Sequence, residues 1–128
     1  MKELTKAEEH VMQHLWSLKK AYLKDIVEQY ADPKPAYTTI STVVNVLVKK
    51  GFIDFETHGK AREYRPMITK DKYTKQSFNG LLNSFFDNST KQFASFFTQK
   101  SELSVEELTE IRTLIDNQIT KQNQDGIK

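Results

Sequence analysis

Apolar residues recur at helical spacing through the first third of the chain. Ala7, Val11, Leu15 and Leu18 fall on one face, with Met12 and Trp16 beside them. Thr5-x-x-Glu8 precedes that stripe as a capping box, in which the Thr5 hydroxyl accepts from the amide three residues on and the Glu8 carboxylate reaches back. The pattern predicts a first helix over about residues 6–18. A short polar stretch, Ser17–Ala21, leads to a second helix over about 22–31 with Leu23, Ile26, Val27 and Tyr30 inward. Asp32-Pro33-Lys34-Pro35 cannot continue it, because proline lacks the amide donor and restricts its predecessor. A third helix, from about Tyr37 to Lys50, carries the stripe Ile40, Val43, Val44 and Leu47. Gly51 stands where a left-handed C-cap belongs.

The period then changes from helical to two. Phe52–Glu56 and Arg62–Arg65 alternate around the polar turn His58-Gly59-Lys60, which predicts a hairpin closed by Pro66. From about residue 70 the pattern is helical again. Phe78, Leu81, Leu82, Phe85 and Phe86 share a face, and Asp87-Asn88-Ser89 interrupts it. Ser89 caps a segment with Phe93, Phe96 and Phe97. Ser104-x-x-Glu107 is a second capping box, opening a last helix with Leu108, Ile111, Leu114, Ile115 and Ile119. The polar tail Lys121–Lys128 is expected to fray.

Three helices and a hairpin within about 65 residues give the order of a winged helix-turn-helix, in which the third helix enters the major groove of DNA and the wing reaches the backbone. The fold class expected is mainly α: a winged helix-turn-helix domain over 1–70, then an α-helical dimerisation region over 71–128. Opposite the apolar stripe, the third helix presents Thr38, Ser41, Thr42, Asn45 and Lys49. Small polar groups let the helix approach base edges, and Asn can bond adenine bidentately. The first-turn amides near Tyr37, Thr38 and Thr39 suit a phosphate. Lys49, Lys50, Lys60 and Arg62 are natural phosphate partners. Taken singly, each of these is more often plain solvated surface; their joint placement carries the reading.

Six of the eight Phe lie in residues 71–120. Helices this apolar, beyond a complete winged domain, need a surface to bury against. A homodimer interface through Phe78, Leu82, Phe85, Phe86, Phe93, Phe96, Phe97, Leu108, Ile111 and Ile115 is expected. Two copies would present two reading heads to half-sites about one helical turn apart, or a multiple of it.

Composition narrows the alternatives. The 128 residues include no cysteine, which excludes disulfides, thiolate metal sites and cysteine nucleophiles. No apolar run approaches the length of a membrane span and the N-terminus lacks an apolar signal core, so a cytoplasmic protein without membrane insertion is expected. The formal charge is +2 overall but uneven: residues 1–70 sum to +3, residues 71–128 to −1, and residues 34–72 to +4. A basic middle is compatible with nucleic acid. No nucleophile stands with a base at recognisable spacing and there is no phosphate-cradling glycine loop, so neither an enzyme nor a cofactor is expected. His10 and His14 are four apart without a third ligand, and read as a solvent-facing pair rather than a metal site. The rival reading is a winged-helix module that binds protein rather than DNA.

The residues also resemble the BlaI/MecI/CopY family of bacterial winged-helix repressors. The resemblance covers residue 3 to about 120. It rests on Glu3-Leu4-Thr5-Lys6-Ala7-Glu8, Val11-Met12, Leu15-Trp16, Asp25-Ile26-Val27, Thr39-Ile40-Ser41-Thr42-Val43, Leu47, Lys49-Lys50-Gly51-Phe52-Ile53, Tyr64-Arg65-Pro66 and the block Glu102 to Arg112. It implies a homodimer that binds a dyad-symmetric operator and represses transcription. In the β-lactam branch it implies release by a membrane sensor-protease pathway that cuts the dimerisation region; the copper branch senses metal through cysteines, which this chain lacks. Two positions depart from the family pattern. Glu9 stands where an aromatic is common, and the Asn-Phe cleavage dipeptide falls on Phe96-Phe97, keeping the Phe and losing the Asn.

Overall fold

The computed structural model describes residues 3–126. The first helix, α1 (Lys6–Leu18), opens on the expected capping box: Glu8 N–H donates to Thr5 Oγ1 at 3.2 Å and Thr5 N–H to Glu8 Oε1 at 2.9 Å. Its buried face is Val11, Met12 and Leu15. The expected Ala7 is exposed, and Glu8 is buried in its place. The reason is Lys50, 42 residues further along the chain, which supplies a counter-charge.

After α1 comes a two-residue strand, β1 (Ala21–Tyr22), too short for periodicity to reveal. The second helix, α2, covers only Leu23–Glu28 rather than 22–31, because Tyr22 belongs to the strand and the chain turns at Gln29 and Tyr30. The third helix, α3 (Tyr37–Lys49), buries Ile40, Val44 and Leu47, with Val43 partly buried. It ends as the glycine anticipates. Gly51 has φ +85, Phe52 N–H donates to Leu47 C=O at 3.0 Å and Gly51 N–H to Val48 C=O at 3.1 Å, the paired bonds of a Schellman cap. Phe52 and Leu47 are both fully buried, so the cap turns the chain from helix into sheet while closing the core.

The hairpin pairs β2 (Ile53–His58) with β3 (Ala61–Pro66), Phe55 opposite Tyr64 and His58 opposite Ala61. The turn is two residues, Gly59-Lys60, with φ +64 at Gly59, the glycine-first arrangement that follows the twist of the strands. β1 adds to the other edge of β3, giving an antiparallel sheet ordered β1-β3-β2. Helices and sheet close over one core, in which Phe52, Met12, Leu15, Ile26, Leu47, Ile53, Val11 and Val44 are fully buried. Each such side chain contributes about 1.5–3 kcal/mol on leaving water.

Three helices complete the chain: α4 (Lys70–Phe86), α5 (Thr90–Lys100) and α6 (Val105–Gly126). The second capping box forms, Glu107 N–H to Ser104 Oγ at 3.0 Å and Ser104 N–H to Glu107 Oε1 at 3.1 Å. The tail expected to fray is helical through Gly126; Ile127 and Lys128 lie outside the described residues. The chain divides into two units after Phe78 rather than after residue 70. The start of α4 belongs to the first unit because Tyr73 is built into it. The Tyr73 hydroxyl accepts from Leu4 N–H at 3.0 Å, and its ring packs on Trp16 and Phe52. No described helix is long and apolar enough to cross a membrane.

Candidate nucleic-acid interface

The apolar stripe of α3 faces the core, so its other side is left outward. Tyr37, Ser41 and Asn45, spaced four apart, form one row along it. The wing stands beside that row. Between them lies an open groove of about 630 Å³, lined on one side by Tyr37, Ser41 and Asn45 and on the other by Lys60, Ala61, Arg62 and Tyr64. Tyr22, Leu23 and Lys24 complete the lining. Three cations and no carboxylate face this space. Arg62 is held in place by stacking its guanidinium over the Phe55 ring, 4.3 Å from the centroid.

Five of the ten residues expected to touch DNA therefore converge on one groove: Tyr37, Ser41, Asn45, Lys60 and Arg62. Thr38, Thr39, Thr42 and Lys49 are exposed on α3 beside it. The Thr42 hydroxyl donates to Thr38 C=O at 3.0 Å, which leaves its oxygen as an acceptor. Ala36, at the N-cap of α3, supplies no side-chain acceptor to the first-turn amides. Lys50 departs from the expectation. Its ammonium donates to both carboxylate oxygens of Glu8 at 2.8 Å, so it is committed inside the protein. Burial on its own would raise the Glu8 pKa; the Lys50 ammonium and the Thr5 backbone outweigh it and hold the carboxyl below its ordinary value.

Tyr22 and Lys24 escaped the sequence reading. Tyr22 is placed by a strand with no detectable period. Lys24 carried a weak signal: a cation in the first turn of a helix, where anions are favoured. On the outer face of the hairpin Arg65 pairs with Asp54 at 2.8 Å and the His58 ring lies 3.4 Å from a Glu63 carboxylate oxygen, so these side chains are engaged with each other. His14 is not wholly solvent-facing as expected. Its ring packs 4.4 Å from that of Tyr30, and burial, with the nearby His10 charge, lowers its pKa. Among the described residues no group of three or more potential ligands could hold a metal ion.

The second unit has a surface of another kind. Leu81, Phe85, Phe86, Phe93, Phe96 and Phe97 line an apolar groove of about 460 Å³. Phe86 packs edge-on to Phe93, and Phe93 stacks on Phe97. Phe85 is 76% exposed, and Phe96, Leu114, Ile115 and Ile119 are exposed too. Of the residues expected at an interface between copies, Leu82 is instead buried within the chain. Phe86, Phe93, Phe97, Leu108 and Ile111 are half-buried, and Phe78 is at the margin of exposure.

Three helices and a hairpin wing over one core make the first unit a winged-helix domain, and the family match makes the chain a DNA-binding transcriptional repressor rather than an enzyme. More particularly, the chain belongs to the penicillinase repressor family, whose model matches residues 4–117. It is 27% identical over 115 residues to the methicillin resistance regulatory protein MecI of Staphylococcus aureus strain N315, spanning 89% of this chain and 94% of that one. It is 23% identical over 115 residues to the penicillinase repressor of Bacillus licheniformis, spanning 89% and 90% of the two chains. The solution structure of the DNA-binding domain of the repressor BlaI is similar over 57% of this chain and 94% of its own, at 25% identity and a TM-score of 0.49.

Proposed function

We propose that the chain acts as a homodimer that binds a dyad-symmetric operator on double-stranded DNA and blocks transcription. Each copy lays α3 in the major groove, with Asn45 and Ser41 toward base edges and Lys24, Lys60 and Arg62 on phosphates. The observation that carries this reading is the shared groove: base-reading groups on α3 and cations on the wing face one space with no carboxylate among its lining. The two copies join through the phenylalanine-rich second unit, whose large apolar side chains lie open in the single chain. Dimerisation also supports tight binding, since one winged domain alone reaches few phosphates. Relief of repression through a sensor-protease pathway fits a cut at Phe96-Phe97, because that bond separates α6 from α4 and would dismantle the interface.

The test uses a duplex enriched from a random pool by the parent chain and a scrambled control. Asn45→Ala should bring the two affinities together by about tenfold or more, since a lost bidentate base contact is worth about 1–3 kcal/mol. If the ratio in Asn45→Ala equals that of the parent, α3 does not read bases through this face.

A further inference from the structure

Glu8 is the one buried charged residue among those described, only 5% exposed, and it lies 42 residues from the lysine it binds. Its carboxylate does two jobs. Oε1 accepts from Thr5 N–H at the start of α1, and both oxygens accept from the Lys50 ammonium at 2.8 Å. Lys50 is the C-cap residue of α3, directly after Lys49 and just over one turn beyond Asn45. The pair therefore ties the far end of the reading helix to the near end of α1.

The apolar stripe of α3 does not do the same work. Burial of Ile40, Val44 and Leu47 drives the helix onto the core, but burial is non-directional and names no particular partner for the end of the helix. The Lys50 ammonium, hydrogen-bonded to both oxygens of one carboxylate, adds a short tether to one particular partner at the end of α3, though with a less rigid geometry than an arginine fork. In this pair the lysine side chain is 26% and the glutamate side chain 7% exposed. Ion pairs taken out of water are weak sources of stability, because desolvation offsets their attraction; their best-attested role is to select one register.

We infer that Glu8 and Lys50 form a latch that sets the register of α3, so that Glu8 is a positioning residue for sequence discrimination, without itself meeting DNA. The inference rests on the DNA reading above and names two residues that act through Asn45 and its neighbours. It also gives the Lys49-Lys50 pair a division of labour, Lys49 exposed on the outward face and Lys50 turned inward.

Glu8→Gln isolates the latch, because glutamine at this position still closes a capping box. The full chain is titrated at fixed salt, at a temperature where circular dichroism shows every variant folded, against the pool-enriched duplex and its scrambled control. Glu8→Gln should lose about tenfold on the enriched duplex, comparable to one misread base pair, and stay within about twofold on the scrambled one. Lys50→Met should behave alike, the double variant should add nothing further, and Lys50→Arg should recover discrimination because its guanidinium can still grip the carboxylate. A Glu8→Gln protein that is folded and keeps the parent's ratio overturns the latch. So does a Lys50→Met protein that weakens equally on both duplexes with a shallower salt dependence, which would make Lys50 a phosphate contact. A parent chain that enriches no duplex overturns the DNA reading and the latch with it.

Discussion

Removing the wing cation tests the groove most quantitatively. Lys24, Lys60 and Arg62 line the groove and Lys49 is exposed at the end of α3, so the proposed dimer would bring eight cations to the duplex. Each neutralised phosphate contributes about 0.9 to the slope of log affinity against log salt, which gives about −7 for the dimer. Lys60→Ala removes one contact per copy and should bring the slope to about −5. Between about 50 and 200 mM salt the parent should lose roughly ten-thousandfold in affinity and the variant roughly a thousandfold. The loss should be the same on enriched and scrambled duplexes, because phosphates carry no sequence. Lys24→Ala, which removes a lining cation from α2, should match it. Fluorescence anisotropy over a salt series measures the slopes. An unchanged slope in both variants would refute the groove as the backbone seat, and a parent slope near zero would favour the protein-binding module instead.

Other expectations are independent of that groove. Phe85 is 76% exposed, so Phe85→Asp should leave helicity intact while sedimentation equilibrium shows monomers; unchanged dimers would move the interface elsewhere. Lys19 ends α1 at φ 72, ψ −45, a conformation that costs a side chain about 1 kcal/mol or more. Lys19→Gly should therefore raise the melting temperature by about 3–5 °C, and a lower value would contradict the strain. Glu8 and His14 both have folded pKa values below their ordinary ones of 4.5 and 6.5. The unfolded chain binds the extra protons, so stability is full above each ordinary value and falls as pH drops through it. Denaturant titrations should show a first loss below pH 6.5, absent in His14→Asn, and a second below 4.5, absent in Glu8→Gln.

Elements with local signatures are legible in the amino-acid sequence. Thr5 and Glu8, Ser104 and Glu107, Ser89, and Gly51 after Lys50 mark helix ends through contacts within a few residues, and the structure has each of them. The hairpin was legible because Phe52–Glu56 and Arg62–Arg65 break the helical period. What escaped depends on distant partners or on segments too short to repeat. β1 has two residues and exists only because β3 offers an edge. Sequence alone assigns Glu8 a capping role with no sign of the distant Lys50 beside it, and it puts Tyr73 at the start of a separate region rather than against Leu4, Trp16 and Phe52. The same holds for the groove. Its α3 row and its wing cations follow from helix and hairpin periodicity, whereas Tyr22 and Lys24 join only through β1 and the short helix α2 after it.

Hydroxyl-radical footprinting of the full chain on a pool-enriched duplex addresses the two-headed arrangement directly. A dimer reading through paired third helices should protect two backbone patches related by a dyad, with centres about 10 base pairs apart or a multiple of that. A single patch without a dyad, or uniform protection along the duplex, would contradict it.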